Sequence, residues 1–417
     1  MVAIAGGQLL LVLLAAAEVS AAGAGAFRLG EGSAALEEAR DWPHACSLRH
    51  PLCVRPAPET PKTVQLATLA AADRAWDVLT GVLGVPAPEG PLGDPWQIYL
   101  LDNVEEGAWS LPELTDPVSR FDRAASFALV DRATPPGCSL DLALARALAR
   151  GSLWRVAPAT AEGSAVAQAE ALARIATPCL APEDADFESF QRQPERCPVD
   201  GASASFDRGA SLFFDWIDAR FGARPGWLLL GMWALAPTRT PPHSWRWAAS
   251  PTGFDVLRVS LKGALWQSSS FDDVLVRFAV ARASMSPPTR IAWHLPWPKV
   301  ARRIAAPEPV APMGASYVLI EHDGAPMGAR LRLEAEWEDY GRMRWVAAKL
   351  DTAGRVLADI PIVSLDRGTR ASLTIDGLDG VDRVLVVAVN VGSTDHPFDP
   401  DQREWEPHGW LLTLEGQ

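Results

Sequence analysis

The apolar residues of this chain are spaced in two different ways, and this change of spacing constrains the fold most. Between residues 63 and 283 they recur at the three- and four-residue intervals of amphipathic helices. Beyond residue 312 they alternate with polar residues in seven short segments, ASYVLIEH, ARLRLEAEWE, RMRWVAAKLD, RVLADIPIV, RASLTIDGL, RVLVVAVNVG and WLLTLEG. We therefore expect an α+β multidomain fold, with a mainly helical domain (63–283) followed by an antiparallel β-sandwich (312–417). Residues 284–311, rich in Pro and Trp, are predicted to be a connector without regular structure.

The N-terminus has the features of a secretory signal peptide. An apolar run, LLLVLLAAA, is followed by the small residues of VSAAGAGA, which predicts a signal peptide over residues 1–22 and an N-terminal segment over 23–62. No Lys or Arg precedes the run, so a buried first helix is the alternative. The run is too short to cross a bilayer, and no later segment is long and apolar enough. We expect a secreted or periplasmic protein that does not span a membrane.

The charge of the chain bears on its partners. A formal net charge of −13 and a pI near 5.1 argue against nucleic acid, which attracts basic surfaces. Abundant Ala, Arg and Pro beside few Lys are typical of a GC-rich bacterial genome.

The chain has five cysteines, which are expected to form disulfides if the protein is exported. We predict that Cys46 pairs with Cys53 and Cys138 with Cys179, which leaves Cys197 over; other pairings remain open. The loop between the first two cysteines also contains His50, so a Cys-His-Cys zinc site is the alternative there. Three ligands without an evident fourth favour the disulfide.

A succession of segments in residues 60–283 resembles secreted bacterial metallopeptidases of the H-E-x-x-H class. It consists of a helix, a strand with the sequence YLLD, a second strand ending in VD, two Ala-rich helices, the helix FDRGASLFFDWIDARFG and the helix SSSFDDVLVRFAVA. The resemblance implies a zinc site on the first Ala-rich helix, with two His one turn apart, a Glu beside the first His and a downstream Glu ligand.

The catalytic motif of that family is missing here. The best-fitting frame places Ala145 and Ala149 where the His ligands would stand and Arg146 in place of the general base. Glu162 or Glu170 corresponds to the downstream ligand, but one carboxylate cannot hold a catalytic zinc. We therefore expect no catalytic residue, no metal and no cofactor, and an ion pair of Arg146 with a carboxylate such as Glu162.

Other chemistry is only weakly indicated. G-x-S-x-G does not occur, and Asp215 and Asp218 are predicted to lie on a solvated helix face. The acidic C-terminal loop with Asp395, Asp399 and Asp401 could bind calcium, although an exposed hairpin explains it as well. Two sets of residues are further candidates for binding faces. The first is Trp245, Trp247 and Trp266, for which packing in the core is the alternative. The second is Arg342, Arg344 and Trp345 beside Trp337, if those strands pair, for which an exposed cation–π ladder is the alternative.

Taken together, the sequence predicts an exported, non-catalytic peptidase-like protein, a pseudoenzyme. Its expected role is to bind an extracytoplasmic protein or glycan, or to act as a structural companion of the sandwich. The alternative is a secreted hydrolase that uses a carboxylate site without a recognisable motif.

Overall fold

The structure is a computed structural model that describes residues 39, 42–90, 93–104, 107–111, 123–177, 185–199, 201, 203–236, 253–261, 270–338, 341–360, 368–393 and 406–417. The predicted signal peptide lies outside these residues. The chain is of the α+β class, with helices and several β-sheets. Within the described residues, no helix combines the length and apolarity that a bilayer crossing requires.

The described residues form nine α-helices and fourteen β-strands. The helices are α1 (Lys62–Trp76), which continues as a π-helical segment (Asp77–Leu83), α2 (Cys138–Trp154), α3 (Glu162–Ala176), α4 (Ala185–Gln191), α5 (Ala204–Gly209), α6 (Ser211–Phe221), α7 (Trp227–Leu235), α8 (Gly253–Leu261) and α9 (Phe271–Arg282). The strands are β1 (Ala45–Cys46), β2 (Leu52–Pro56), β3 (Trp96–Leu101), β4 (Gly107–Leu111), β5 (Ala125–Asp131), β6 (Trp293–Leu295), β7 (Arg302–Ala305), β8 (Ala315–Glu321), β9 (Leu331–Trp337), β10 (Gly341–Leu350), β11 (Val356–Ile360), β12 (Arg370–Ile375), β13 (Arg383–Ser393) and β14 (Trp410–Gly416).

The chain forms two compact units, and a short segment of unit 2 lies between the two segments of unit 1 in the sequence. Unit 1 comprises Met1–Pro182 and Gly201–Val256, and unit 2 comprises Glu183–Asp200 and Leu257–Gln417. The predicted boundary at residue 283 therefore lies inside unit 2, which includes α4 and α9. Both helices pair with sequence-distant residues of that unit, which a reading of local periodicity does not detect.

Unit 1 combines a mixed sheet with Ala-rich helices. The sheet has the strand order β1-β2-β3-β5-β4, in which β2, β3 and β5 are parallel. β1 and β2 come from the segment before residue 62, for which no strand was predicted, and β4 was not predicted either. The small side chains of α2 and α3 allow these two helices to pack closely against each other, and α2 also contacts β4 and β5.

Gly151 lies where α2 meets the sheet. A Cβ at this position would be 2.7 Å from Ser126 Oγ and 3.2 Å from Pro88 Cβ. Ser126 Oγ cannot move freely, because it accepts a hydrogen bond of 2.9 Å from Trp96 Nε1. The close approach of the helix to the strand therefore requires glycine.

This contact leads to a stability prediction for two glycines. Gly151→Ala should lower the free energy of unfolding by about 1–3 kcal/mol, because overpacking outweighs the gain in helix propensity. Gly231→Ala, at an exposed position of α7 with no atom within 4 Å of the added Cβ, should raise it by up to about 1 kcal/mol. Urea unfolding of both variants checks this, and equal shifts would contradict the close packing.

Unit 2 contains two sheets with a shared apolar core. The strand orders are β11-β10-β13-β8-β6 and β12-β9-β14-β7. Buried side chains of both sheets form one cluster, which includes Ile320, Leu333, Trp345, Val386 and Leu412. The seven segments with period two all form strands. The expectation of an irregular connector over 284–311 is wrong in part, because β6 and β7 each add an edge strand, and β6 pairs with β8 in parallel.

The first of these sheets is buried on both faces. Along β13, Val384 and Val386 face the other sheet, whereas Leu385 and Val387 face away from it, and all four are at most 2% exposed. α9 covers this second face, which explains why β13 is an almost continuous apolar run. α9 begins with a capping box in which the Ser270 hydroxyl accepts from Asp273 N and the Asp273 carboxylate accepts from Ser270 N.

A buried arginine joins α4 to the rest of unit 2. Arg282, 2% exposed, donates from Nε to Gln191 Oε1 over 2.8 Å and from Nη2 to the carbonyl of Phe190. Its guanidinium carbon lies 3.6 Å from the centre of the Phe190 ring. In return Gln191 Nε2 donates to the carbonyls of Arg282 and Pro287, at 3.2 and 2.8 Å. Burial lowers the pKa of Arg282 to about 10, so the cation persists at neutral pH.

Candidate functional site

The two positions that the predicted motif frame assigns to metal-binding His are part of the apolar core of unit 1. Ala145 and Ala149 on α2 are 0% exposed. Arg146 lies between them and keeps 27% of its side chain exposed. Two methyl groups cannot ligate a metal, so this stretch of α2 serves packing.

Arg146 forms an ion pair with the buried carboxylate of Glu170. Arg146 Nε contacts Glu170 Oε2, and Arg146 Nη2 donates to Glu170 Oε1 over 2.9 Å. Arg174, one turn further along α3, places its Nε 2.9 Å from the same Oε1 atom. Glu170 is fully buried, and a charge in such a position has to be paired. Arginine therefore contacts both of its oxygens, and we call these three residues the Glu170 network.

The prediction that Arg146 pairs with Glu162 is wrong in its partner. Glu162 pairs with Arg150 instead, whose guanidinium lies 4.9 Å from the centre of the Trp154 ring. Glu162 is in the first turn of α3 and largely exposed, whereas Glu170 is in the middle of that helix. The Glu170-to-Arg174 spacing of four residues within an Ala-rich run is a sequence signal from which this buried pair could have been predicted.

Polar side chains on the same helix are also satisfied. Gln168 Nε2 donates to Ser164 Oγ over 2.9 Å, and Gln168 Oε1 accepts from Trp233 Nε1 over 2.8 Å. All three residues are buried. These bonds fix the side of α3 that faces the interior and keep Glu170 in place.

Asp218 does not lie on a solvated face, contrary to the prediction. It is 5% exposed and accepts hydrogen bonds from the backbone N–H groups of Gly226 and Leu228, at 2.6 and 2.8 Å. Burial raises its pKa, and these two bonds act in the opposite direction. Asp218 therefore binds the free N–H groups at the start of α7.

Asp215, one turn before Asp218, is partly buried. Burial raises the pKa of Asp215 to about 7; Arg174 lowers it, whereas Glu170 and Asp218 raise it further. A carboxyl group of this kind can exchange a proton near neutral pH.

The raised pKa predicts a pH-dependent effect of Asp215→Asn. Folded Asp215 binds its proton more tightly than the unfolded chain does, so its contribution to stability falls as the pH rises from about 4 to about 7. The variant should therefore gain stability relative to the original chain over this interval. Urea unfolding at pH 4.5 and 7.5 measures the difference, and an equal difference at both values would contradict the raised pKa.

A carboxyl pair that was not predicted from the sequence lies in unit 2. Glu195 and Glu308 are hydrogen-bonded to each other, and Arg290 contacts Glu195 over 2.6 Å and Glu308 over 3.0 Å. Burial raises the pKa of Glu195, and the bond from Arg290 lowers the pKa of Glu308. Of the two, Glu195 thus binds a proton more readily than Glu308 does.

The tryptophans of unit 2 form part of its core. Trp345 and Trp337 are 5% and 8% exposed and belong to opposite sheets, so their strands do not pair as supposed. Trp345 meets Trp410 edge to face at 5.4 Å. Arg342 donates to Asp272 of α9 over 2.7 Å. Trp337 and Trp345 therefore do not form an exposed aromatic binding face.

The first predicted disulfide is confirmed. Cys46 and Cys53 are bonded, and His44 lies close to both sulfurs. Cys138 also takes part in a disulfide, but Cys179 lies outside the described residues, so this pairing stays a prediction; Cys197 is buried. Other predicted residues also lie outside the described part of the chain: Trp245, Trp247, Trp266, Asp395, Asp399 and Asp401.

A small cavity in unit 2 is apolar and lies apart from these carboxyl groups. Its lining includes Leu333, Trp345, Leu373, Val386 and Leu412. None of the carboxylates described above borders it, so it offers no acid–base chemistry.

Comparison with known proteins identifies no family. No family model matches the chain, and no curated protein does. Among solved structures, the pre-peptidase C-terminal domain of a collagenase from Bacillus anthracis aligns at 6% identity, covering 30% of this chain and 97% of that one, with a TM-score of 0.20. The enzymatically active domain of tailspike protein 4 of bacteriophage CBA120 aligns at 11% identity over 28% of this chain and 18% of that one, with a TM-score of 0.18. A structure described as CBM4 aligns at 15% identity over 28% of this chain and 79% of that one, with a TM-score of 0.16. Similarity at these TM-scores carries no argument about fold or function.

Proposed function

We propose that the chain is an exported, non-catalytic metallopeptidase-like protein whose helical domain is followed by a β-sandwich. In this proposal the protein is secreted or periplasmic, and it binds another protein outside the cytoplasm. The observation that carries the proposal is the Glu170 network. In it, arginine contacts both oxygens of a buried carboxylate next to the motif frame of α2, which consists of Ala145, Arg146 and Ala149.

The chemistry of that frame supports a non-catalytic role. Hydrolysis by a zinc peptidase requires three protein ligands and a general base. Ala145 and Ala149 provide no lone pair, and Arg146 is a cation that is paired with Glu170. A guanidinium remains protonated and cannot accept a proton from water.

The outer face of the β12-β9-β14-β7 sheet favours a protein partner over a glycan. Sugar-binding sheet faces depend on exposed aromatic rings. The outward-facing residues described on three of these strands are Arg332, Glu334 and Glu336 on β9, Arg370, Ser372 and Thr374 on β12, and Leu411, Thr413 and Glu415 on β14. This face is charged and polar, and none of these residues is aromatic.

Elemental analysis of the purified oxidised protein tests the non-catalytic role. Native mass spectrometry before and after treatment with a chelator should give the same mass, with no stoichiometric zinc. A general peptidase assay on a denatured protein substrate should show no chelator-sensitive hydrolysis. One zinc per oxidised chain together with such hydrolysis would refute the proposal.

A second candidate function is hydrolysis by the Glu195–Glu308 pair. Two carboxyl groups in contact whose pKa values are shifted in opposite directions are the arrangement used for acid–base catalysis. A panel of chromogenic glycosides and esters tests it: this candidate predicts turnover that Glu195→Gln and Glu308→Gln both abolish. Absence of turnover with every substrate supports the non-catalytic proposal.

A further inference from the structure

Three metal-ligand side chains meet on the first hairpin of unit 1. The ligand atoms of His44, Cys46 and Cys53 all lie within 4.8 Å of one another. β1 and β2 are antiparallel with Cys46 directly opposite Cys53. His44 precedes Cys46 by two residues, and this spacing places both side chains on one face of an extended chain. His44 and Cys46 are exposed, whereas Cys53 is buried.

Contacts other than the disulfide also hold this hairpin on α1 and on the π-helical segment. Ser47 Oγ donates to Asp73 Oδ1 over 2.6 Å, and Arg49 Nη2 donates to Asp77 Oδ2 over 2.6 Å. His50 Nε2 lies 2.8 Å from Asp77 Oδ1, and its ring stacks on Trp76 at 5.5 Å. The two cysteines should therefore stay close together after the S–S bond is broken.

These contacts also determine which histidine is available. The ring of His50 is engaged by Asp77 and Trp76, although His50 lies between the two cysteines in the sequence. His44 lies beside the sulfurs instead. The three-ligand set is thus His44, Cys46 and Cys53, which sequence spacing alone did not single out.

We propose that reduction of the Cys46–Cys53 disulfide converts this hairpin into a binding site for one thiophilic cation such as Zn²⁺. A dithiol or phosphine reductant supplies the two electrons, the S–S bond breaks and two protons complete the two thiols. Binding of the cation then releases both protons and forms two metal–thiolate bonds and one bond to the His44 imidazole.

The separations are suited to such an ion. With Zn–S bonds of about 2.3 Å and Zn–N bonds of about 2.0–2.1 Å, tetrahedral ligand atoms lie about 3.5 Å apart. The ligand atoms lie within 4.8 Å of one another, so a small rotation of the exposed His44 and Cys46 side chains brings them to this spacing. Three protein ligands leave the fourth position to water. The inference does not depend on the proposed function, because it concerns another part of unit 1 and a different redox state.

Zinc titration of the reduced full chain tests the site. The protein is reduced with a phosphine, the reductant is removed without air, and zinc binding is measured by competition with a chromophoric chelator. The reduced chain should bind one Zn²⁺ more than the oxidised chain does. A Cys46→Ser/Cys53→Ser double variant, reduced in the same way, should lack that zinc. This control accounts for the thiols of the other three cysteines, Cys138, Cys179 and Cys197.

Two histidine variants assign the third ligand. His44→Ala should weaken zinc binding at least tenfold, while His50→Ala should leave it within about twofold, since only His44 is beside the sulfurs. Co²⁺ should give thiolate-to-metal charge-transfer bands in the original chain that the double variant lacks.

Three results would overturn the inference. The reduced chain could bind no more zinc than the reduced double variant, or His44→Ala could bind as tightly as the original chain. Loss of the folded circular-dichroism spectrum on reduction would also contradict it, because the hairpin contacts are then insufficient without the disulfide. A zinc in the oxidised chain together with chelator-sensitive hydrolysis would instead refute the non-catalytic proposal, so the two failures are distinguishable.

Discussion

Replacing Glu170 by Ala should lower the free energy of unfolding by about 3 kcal/mol. The substitution leaves Arg146 and Arg174 without the buried carboxylate that lies between them, on the packed surfaces of α2 and α3. Both guanidinium groups keep some contact with solvent, which places the expected loss at the lower end for buried ion pairs. Denaturant unfolding of the full chain, followed by circular dichroism, measures it.

Glu162→Ala is the matched control. Glu162 is on the same helix and also pairs with an arginine of α2, but 61% of its side chain is exposed. Exposed pairs contribute little, so this variant should lose less than about 1 kcal/mol. If the two variants lost the same amount, the Glu170 network would not be the buried structural pair that its geometry indicates.

The second large effect is expected for Gln191→Leu, which should destabilise unit 2 by about 3 kcal/mol or more. Gln191 is 0% exposed and makes three hydrogen bonds with its side chain, one from Arg282 Nε and two to the carbonyls of Arg282 and Pro287. Leucine fills a similar volume but removes the partner of the buried Arg282 Nε and of the partly buried Pro287 carbonyl, at a cost of about 1–3 kcal/mol for a neutral group and more for a charged one. The Arg282 carbonyl still accepts from Met285 N over 3.2 Å.

Gln193→Leu provides the comparison. Gln193 is partly buried, donates to the Ser189 carbonyl over 3.2 Å and accepts from Arg196 over 3.1 Å. Solvent can replace both bonds, so the loss should stay below about 1 kcal/mol. Urea unfolding of both variants separates the contribution of the buried Gln191 hydrogen bonds from the general effect of replacing Gln by Leu. A larger loss for Gln193→Leu would mean that the contact between Gln191 and Arg282 contributes little.

Local patterns predicted most of the secondary structure because they depend on neighbouring residues. The alternation after residue 312 predicted all seven strands of that region, and Ser270 followed by Asp272 and Asp273 predicted the start of α9. Such patterns need no knowledge of the partners. β6 and β7 were missed because Pro and Trp surround them, and each forms only by pairing with the edge of an existing sheet.

The partners of charged and aromatic residues were harder to predict because they depend on packing between distant elements. Two glutamates on α3 were available to Arg146, and only the packing of α2 against α3 decides for Glu170. Trp337 and Trp345 are eight residues apart on consecutive strands, yet those strands belong to different sheets. Asp218 looked like a surface residue, because the N–H groups that it binds come from the start of the following helix.

Residues 183–200 belong to unit 2 but are flanked in the sequence by unit 1, and this has a consequence for biosynthesis. Gln191 and Arg282 are 91 residues apart in the sequence. At a translation rate of about 5–20 residues per second, Gln191 emerges on the order of ten seconds before its partner is made. During that time α4 has no stable place to fold, and the nascent chain carries Phe190 and Gln191 exposed. Unit 1 is complete once residue 256 has been made, whereas α4 has to wait until α9 of unit 2 has followed.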